Sequence, residues 1–261
     1  MTYLSVLIIT LIFTLPCCGL QQVTQNPIHK TEVADSLEFR QHLTKKEGDL
    51  HTLFDELLQK YVSKNGNVDY VGFKMSHGQL LGYISILSQL YPRLDEISRE
   101  EKLAYWINAY NALTIDLILR NYPTKSIKDI KDPWDQRLWK FGDNWQNLND
   151  IEHKILRHMD EPRIHFAIVC ASISCPKLQN EAFTASNLDA QLTKATKEFL
   201  ADSTKNKLSK DDIKISKIFK WFKKDFEQNG SLIDFLNQYS DVTISDSAKK
   251  SYTDYNWGLN D

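Results

Sequence analysis

Cysteine and net charge are both scarce in this sequence, and each shortage excludes a class of protein. The chain of 261 residues has four cysteines, too few for a small secreted scaffold held together by many disulfides. Lys and Arg number 32 against 34 Asp and Glu, a net charge of −2, so we expect no nucleic-acid partner. Hydrophobic residues make up 42% and charged residues 25%, proportions that exclude a wholly disordered or collagen-like chain.

An apolar run at the N-terminus predicts export. It extends from Tyr3 to Leu15 and is shorter than the roughly 18 residues that span a bilayer as a helix. It is typical of the core of a secretory signal peptide. Leu15 lies three residues before Cys18, and the small Cys17 comes directly before it, a pattern that resembles a bacterial lipoprotein box. The first five residues contain no Lys or Arg, unlike most signal peptides; the alternative is a buried N-terminal helix of a cytosolic protein.

These features predict how the whole chain is organised. Residues 1–17 are a signal peptide, residues 18–48 a polar tether, and residues 49–261 a single domain. We expect an exported protein of the outer membrane or periplasm, anchored by a lipid on Cys18.

The hydrophobic pattern predicts an α+β fold, mostly helical, with a few short strands. A capping box of Ser98 and Glu101 opens a central apolar helix over about residues 98–121. Residues 138–148 are typical of a hairpin with a glycine turn. Residues 163–170 are short, β-rich and apolar on both faces, so they predict an interior strand packed near the central helix.

Several ordered motifs resemble the domain-of-unknown-function 547 family over about residue 51 to the C-terminus. The two longest are Tyr105-Trp106-Ile107-Asn108-Ala109-Tyr110-Asn111-Ala112-Leu113 and Arg163-Ile164-His165-Phe166-Ala167-Ile168-Val169-Cys170-Ala171-Ser172, the second followed by Ser174-Cys175-Pro176. Shorter matches are Asn67-Val68-Asp69-Tyr70, Ser126-Ile127-Lys128-Asp129-Ile130, Asp150-Ile151-Glu152-His153, Ile218-Phe219-Lys220-Trp221 and Asn256-Trp257-Gly258-Leu259-Asn260. The family name states that its biochemical role is not settled, so the resemblance implies no reaction.

Polar side chains within these apolar motifs are the candidate functional residues. Asn108 and Asn111 are three apart and share a face of the central helix. They either pin the backbone of neighbouring loops or line a pocket. His165 is either a core histidine with a hydrogen-bond partner or a general base positioned by one of these amides.

Two cysteines remain after cleavage before Cys18. Cys170 and Cys175 lie in one short loop, and in an oxidising compartment they favour a disulfide. The alternative is a thiolate nucleophile, with Cys175 folding back toward His165. No neighbouring His or Cys completes a zinc-ligand set, so we expect no metal and no cofactor.

Three tryptophans, Trp134, Trp139 and Trp145, cluster beside charged residues. They form either the core of the hairpin or a surface for sugars or a partner protein.

Two hypotheses for function follow. The first is an envelope protein, anchored through Cys18, with a binding or scaffolding role toward an unknown protein or small molecule. The alternative is a hydrolase or acyl transferase that uses Cys175 or Cys170 with His165, assisted by Asn108 and Asn111.

Overall fold

The computed structural model describes residues 50–261. The predicted signal peptide (1–17), the lipidation site Cys18 and the tether (18–48) therefore lie outside the described residues. Within residues 50–261, no helix is long and apolar enough to cross a membrane.

Helices dominate the described chain, and the strands are few and short. The α-helices are α1 (Thr52–Tyr61), α2 (Tyr70–Met75), α3 (His77–Leu90), α4 (Arg99–Asn121), α5 (Leu148–Asp150), α6 (Leu188–Ala201), α7 (Ile218–Trp221), α8 (Lys223–Phe226) and α9 (Leu232–Tyr239). The strands are β1 (Trp139–Phe141), β2 (Asn144–Gln146), β3 (Lys207–Leu208), β4 (Asp212–Ile215) and β5 (Lys249–Tyr252). The predicted fold class, α+β and mostly helical, is confirmed.

The central helix α4 is the longest element and the most deeply buried. Ser98 accepts a hydrogen bond from the backbone N–H of Glu101, whose side chain bonds back to the N–H of Ser98, so the predicted capping box is confirmed. Every residue from Leu103 to Leu119 is buried. A helix that is apolar on all sides is stable only when other elements cover it, and α3 and the segments after α5 pack against it.

The strands form two small sheets. Strands β1 and β2 pair antiparallel, with Trp139 opposite Gln146, and Gly142 supplies the positive φ of their turn, so the predicted hairpin is confirmed. In the second sheet β4 lies between its neighbours, antiparallel to β3 and parallel to β5.

The predicted interior strand over residues 163–170 is wrong. Pro162–Phe166 is a 3₁₀ helix, and residues 167–170 continue as irregular backbone. A buried strand needs a neighbouring strand to satisfy its backbone, and here local 3₁₀-type bonds and one side chain do so instead. Asn111 donates a hydrogen bond to the carbonyl of Ala167 (2.9 Å) and accepts one from the N–H of Val169 (3.0 Å).

This irregular segment joins two hydrophobic clusters. Ile164, Ala167 and Ile168 pack in the larger cluster around α4. Phe166 points the other way, into a smaller cluster formed by α6, α7, α8, α9 and the second sheet. A cavity opens beside this junction.

Candidate functional site

A cavity of about 330 Å³ is lined by residues from both halves of the described chain. The lining residues are Tyr110, Trp134, Asp135, Asn149, Glu152, His153, His165, Ile168, Val169, Cys170, Cys175, Pro176, Ile218, Trp221, Phe222, Tyr255 and Trp257. We call it the aromatic cavity, because four of these side chains (Trp134, Trp221, Tyr255 and Trp257) form a continuous aromatic wall.

The aromatic wall is held together by ring contacts. The Tyr255 ring lies 4.6 Å from that of Trp257 and 4.8 Å from that of Trp221, measured between centroids. Trp134 meets Trp257 edge-on at 5.8 Å. Trp221 remains 46% exposed, so the wall is open to molecules from solvent.

His165 lies in the aromatic cavity, but its partner is a carboxylate and not an amide. Its Nε2 lies 2.8 Å from Oδ2 of Asp225, and its ring stacks on Phe222 with centroids 3.9 Å apart. Burial lowers the pKa of His165, and Asp225 opposes this effect only in part. The ring is therefore neutral near pH 7, and Nε2–H donates to Asp225.

Asp225 is fixed by a second partner. The Arg157 guanidinium donates two hydrogen bonds to its carboxylate, at 2.6 and 2.8 Å. Partial burial alone would raise the pKa of Asp225, but the hydrogen bonds from Arg157 and His165 outweigh burial and hold this pKa well below its usual range. The sequence analysis did not identify Asp225. It lies three residues after the apolar Phe222, a spacing that is the signal for a shared helical face.

Glu152 is the second functional residue that the sequence analysis missed. It lies on a single turn of π-helix, Ile151–Ile155, that follows α5, a distortion often found at functional sites. The side chain is buried, and the Tyr110 hydroxyl donates a 3.2 Å hydrogen bond to it. Burial raises the pKa of Glu152 to about 7, although Tyr110 and Arg157 favour its charged form.

His153, the next residue, is also neutral near pH 7. Burial lowers its pKa, and the charge of Arg157 lowers it further. Arg157 donates a hydrogen bond to its Nδ1 at 2.8 Å. The aromatic cavity thus contains two neutral imidazoles and the carboxyl group of Glu152, whose pKa is raised to about 7.

The two loop cysteines form the predicted disulfide, with 6.1 Å between their Cα atoms. The bond lies in the lining of the aromatic cavity, and the Tyr255 hydroxyl lies 3.3 Å from the sulfur of Cys170. The loop that the bond closes is tied to the C-terminal segment, because Ile173 N–H donates to the carbonyl of Gly258. With both sulfurs bonded to each other, no thiolate is available for attack.

Asn108 and Asn111 lie outside the lining of the aromatic cavity. Asn108 bonds both backbone groups of Phe183, donating at 2.8 Å and accepting at 3.0 Å. Asn111 bonds Ala167 and Val169 in the same manner. Both amides therefore pin backbone, the first of the two roles considered for them.

The three clustered tryptophans take three different positions. Trp134 belongs to the aromatic wall. Trp139 is buried and donates a 2.6 Å hydrogen bond to Asp116. Trp145 is 53% exposed and lies outside the aromatic cavity.

Across residues 50–261, no group of three His, Cys, Asp or Glu side chains comes together as a metal site. The aromatic cavity offers aromatic faces, two carboxyl groups and neutral imidazoles for binding.

Residues 94–200 match the model of a family described as "Protein of unknown function, DUF547". This match supports the family that the motifs indicate, over a shorter span than the motifs cover. It includes Glu152, His165 and both cysteines of the disulfide, but ends before Trp221 and Asp225. The description names no activity. Comparisons with curated proteins and with solved structures find no match to the chain.

Proposed function

We propose that this protein binds a small molecule in the aromatic cavity and does so as a lipid-anchored protein of the cell envelope. One observation carries the proposal: apolar and aromatic walls enclose about 330 Å³ around a few convergent polar groups. Small-molecule sites in proteins have this composition and a volume of roughly 300–1,000 Å³.

The state of the polar groups favours binding over covalent catalysis. The sulfur atoms of Cys170 and Cys175 are bonded to each other. His165 uses Nε2 in its bond to Asp225, and the amides of Asn108 and Asn111 are engaged with backbone. Nucleophilic catalysis requires a nucleophile within hydrogen-bond reach of its base, and none of these groups supplies that pair.

The cysteine–histidine hydrolase or acyl transferase keeps one supporting observation. His165, Cys170 and Cys175 line the same cavity, so reduction of the disulfide would place thiols and an imidazole in one enclosed space. This alternative requires a reducing step before catalysis, whereas binding requires none.

The envelope location rests on the sequence alone. It is supported by the apolar run from Tyr3 to Leu15 and by the lipoprotein-like pattern of Leu15, Cys17 and Cys18.

A fragment screen tests the binding proposal. The purified protein is mixed with a set of neutral, anionic and cationic fragments, and binding is detected from the NMR signals of the fragments. Trp221→Ala removes the exposed part of the aromatic wall, and Trp145→Ala is the matched control because it removes a similarly exposed indole elsewhere. We expect fragments that bind the wild type and Trp145→Ala but not Trp221→Ala. Binding that is identical in both variants, or no binding at all, would contradict the proposal.

A further inference from the structure

We infer that the ligand of the aromatic cavity is an organic cation, a quaternary or protonated amine, held between the aromatic wall and the carboxyl group of Glu152. This inference rests on the proposed function and adds the charge of the ligand to it. Three independent features of the aromatic cavity support it.

The first feature is the sign of the charged groups. Asp135 and Glu152 line the aromatic cavity, and no Lys or Arg among the described residues does so. The guanidinium of Arg157, which contacts the lining residue His153, is committed to both oxygens of Asp225. An anionic ligand would meet carboxyl groups without a cationic partner, whereas a cation would be attracted.

The second feature is the aromatic wall itself. The faces of Trp and Tyr rings carry partial negative charge and attract cations within about 6 Å of the ring centre. One ring of the wall already has a cation of the protein beside it, because the ammonium of Lys128 lies 4.9 Å from the ring centroid of Trp257. The rings of Tyr255 and Trp257 are tilted by 49° to each other, so the wall presents ring faces in more than one direction.

The third feature is the incomplete bonding of Glu152. This side chain is buried, yet only the Tyr110 hydroxyl hydrogen-bonds to it among the described residues. A buried carboxylate is costly unless it is paired with a positive charge. A cationic ligand would supply that charge inside the aromatic cavity.

The environment of Glu152 predicts that binding depends on pH. Against the effect of burial, the Tyr110 hydroxyl and the Arg157 guanidinium lower the pKa of Glu152, whereas the Asp225 carboxylate raises it. Burial raises the pKa of the Tyr255 phenol, and the charge of Glu152 raises it further. The adjacent His153 stays neutral above pH 7. Because burial raises the pKa of Glu152 to about 7, ionisation between pH 6 and pH 8 should raise the affinity for a cation about tenfold.

A pair of isosteric ligands provides the test. Choline and 3,3-dimethylbutan-1-ol have the same shape, but only choline carries a charge. Their affinities are measured by calorimetry at pH 6 and pH 8, together with those of tetramethylammonium and n-butylammonium. We expect at least one of the three cations to bind, with an affinity that rises from pH 6 to pH 8. If choline binds, it should bind about tenfold more tightly than the neutral alcohol.

Two matched pairs of variants locate the interaction. Glu152→Gln should weaken cation binding about tenfold and remove its pH dependence, while Glu56→Gln, at an exposed position, should change neither. Trp221→Ala should weaken binding, and Trp145→Ala should not. Urea unfolding establishes that each variant is folded. The pH dependence of binding is measured on the wild type, so this test holds even if a variant does not fold.

The outcomes separate this inference from the proposed function. If neutral or anionic fragments bind at Trp221 and the cations do not, the proposed binding function stands and the inference of a cationic ligand is wrong. Equal affinities for choline and its neutral isostere would also overturn the inference. If no compound binds, both proposals fail.

Discussion

Replacement of Asn111 by alanine should destabilise the protein and also damage the aromatic cavity. The Asn111 amide makes two buried hydrogen bonds, to the backbone of Ala167 and Val169. Alanine leaves one carbonyl and one N–H without partners in the protein interior. Each unpaired buried group costs about 1–3 kcal/mol, so we expect a loss of about 3 kcal/mol in the free energy of unfolding.

Two other asparagines provide matched controls. Asn108→Ala removes the same pair of bonds, but from Phe183, which does not line the aromatic cavity. It should cost a similar amount of stability and leave ligand binding intact. Asn121 lies exposed at the end of the same helix and bonds only the carbonyl of Leu117. Asn121→Ala should change stability by less than about 0.5 kcal/mol.

The assay is urea unfolding at 25 °C, followed by circular dichroism with the disulfide intact. Binding of a fragment identified in the screen is measured for each folded variant. Asn111→Ala should weaken binding because Val169 lines the aromatic cavity. An unfolding free energy for Asn111→Ala within about 0.5 kcal/mol of the wild type would refute the reasoning, since it would mean that water replaces both bonds.

Four further predictions follow from the disulfide, the N-terminus and the two titratable side chains. Alkylation without reductant should leave Cys170 and Cys175 unmodified in peptide mass spectra, and modification of both would remove the disulfide. Cys18→Ser should release the protein from the membrane fraction or leave it unprocessed; a wild type that is soluble and uncleaved in its host would contradict anchoring. Because the pKa of Glu152 is raised on folding, the folded state holds an extra proton between about pH 4.5 and 7. The free energy of unfolding should therefore fall by roughly 1 kcal/mol for each unit by which the pH rises in this range. Glu152→Gln should remove this dependence, and the same pH profile in the variant and the wild type would show that the carboxyl is not desolvated. His165→Gln should lower stability by about 1–2 kcal/mol through the lost stacking and weaker bond to Asp225, while full stability with loss of an activity would favour the catalytic hypothesis.

The central helix was predictable because its signals are local. The capping box lies within four residues of sequence, and burial on all sides follows from the apolar residues of the helix itself. The disulfide was predictable for a similar reason, since Cys170 and Cys175 are in one short loop. None of these features depends on what a distant segment does.

The segment over residues 163–170 could not be assigned from its own sequence. Its apolar, β-rich composition fits a buried strand, and residues 164–169 are buried in the structure. In the structure, local bonds such as Ala167 N–H to the carbonyl of Ile164 form a 3₁₀ helix, and the Asn111 amide takes the bonds of Ala167 and Val169 that a neighbouring strand would have provided. Asn111 is more than fifty residues away in sequence, so no local pattern reveals the competition.

The polar groups of the aromatic cavity were hidden for the same reason. His165 was identified as a polar ring that needed a partner, but its partner Asp225 lies sixty residues later in a lysine-rich segment that resembles a solvated helix face. Glu152 is chemically ordinary in the sequence, and only burial gives it a pKa near 7. Burial of this kind is a property of the assembled fold.

The two parts of the aromatic cavity differ in how much the family resemblance says about them. The matched region, residues 94–200, supplies Glu152, His165 and the disulfide. Three of the four rings of the aromatic wall, Trp221, Tyr255 and Trp257, come from the chain beyond it. The disulfide loop joins the two parts, because Ser172 pairs with Leu259 and Tyr255 contacts Cys170. Since the ligand would touch both parts, the family match of residues 94–200 cannot by itself define the ligand. The charge and shape of the assembled cavity have to be tested directly.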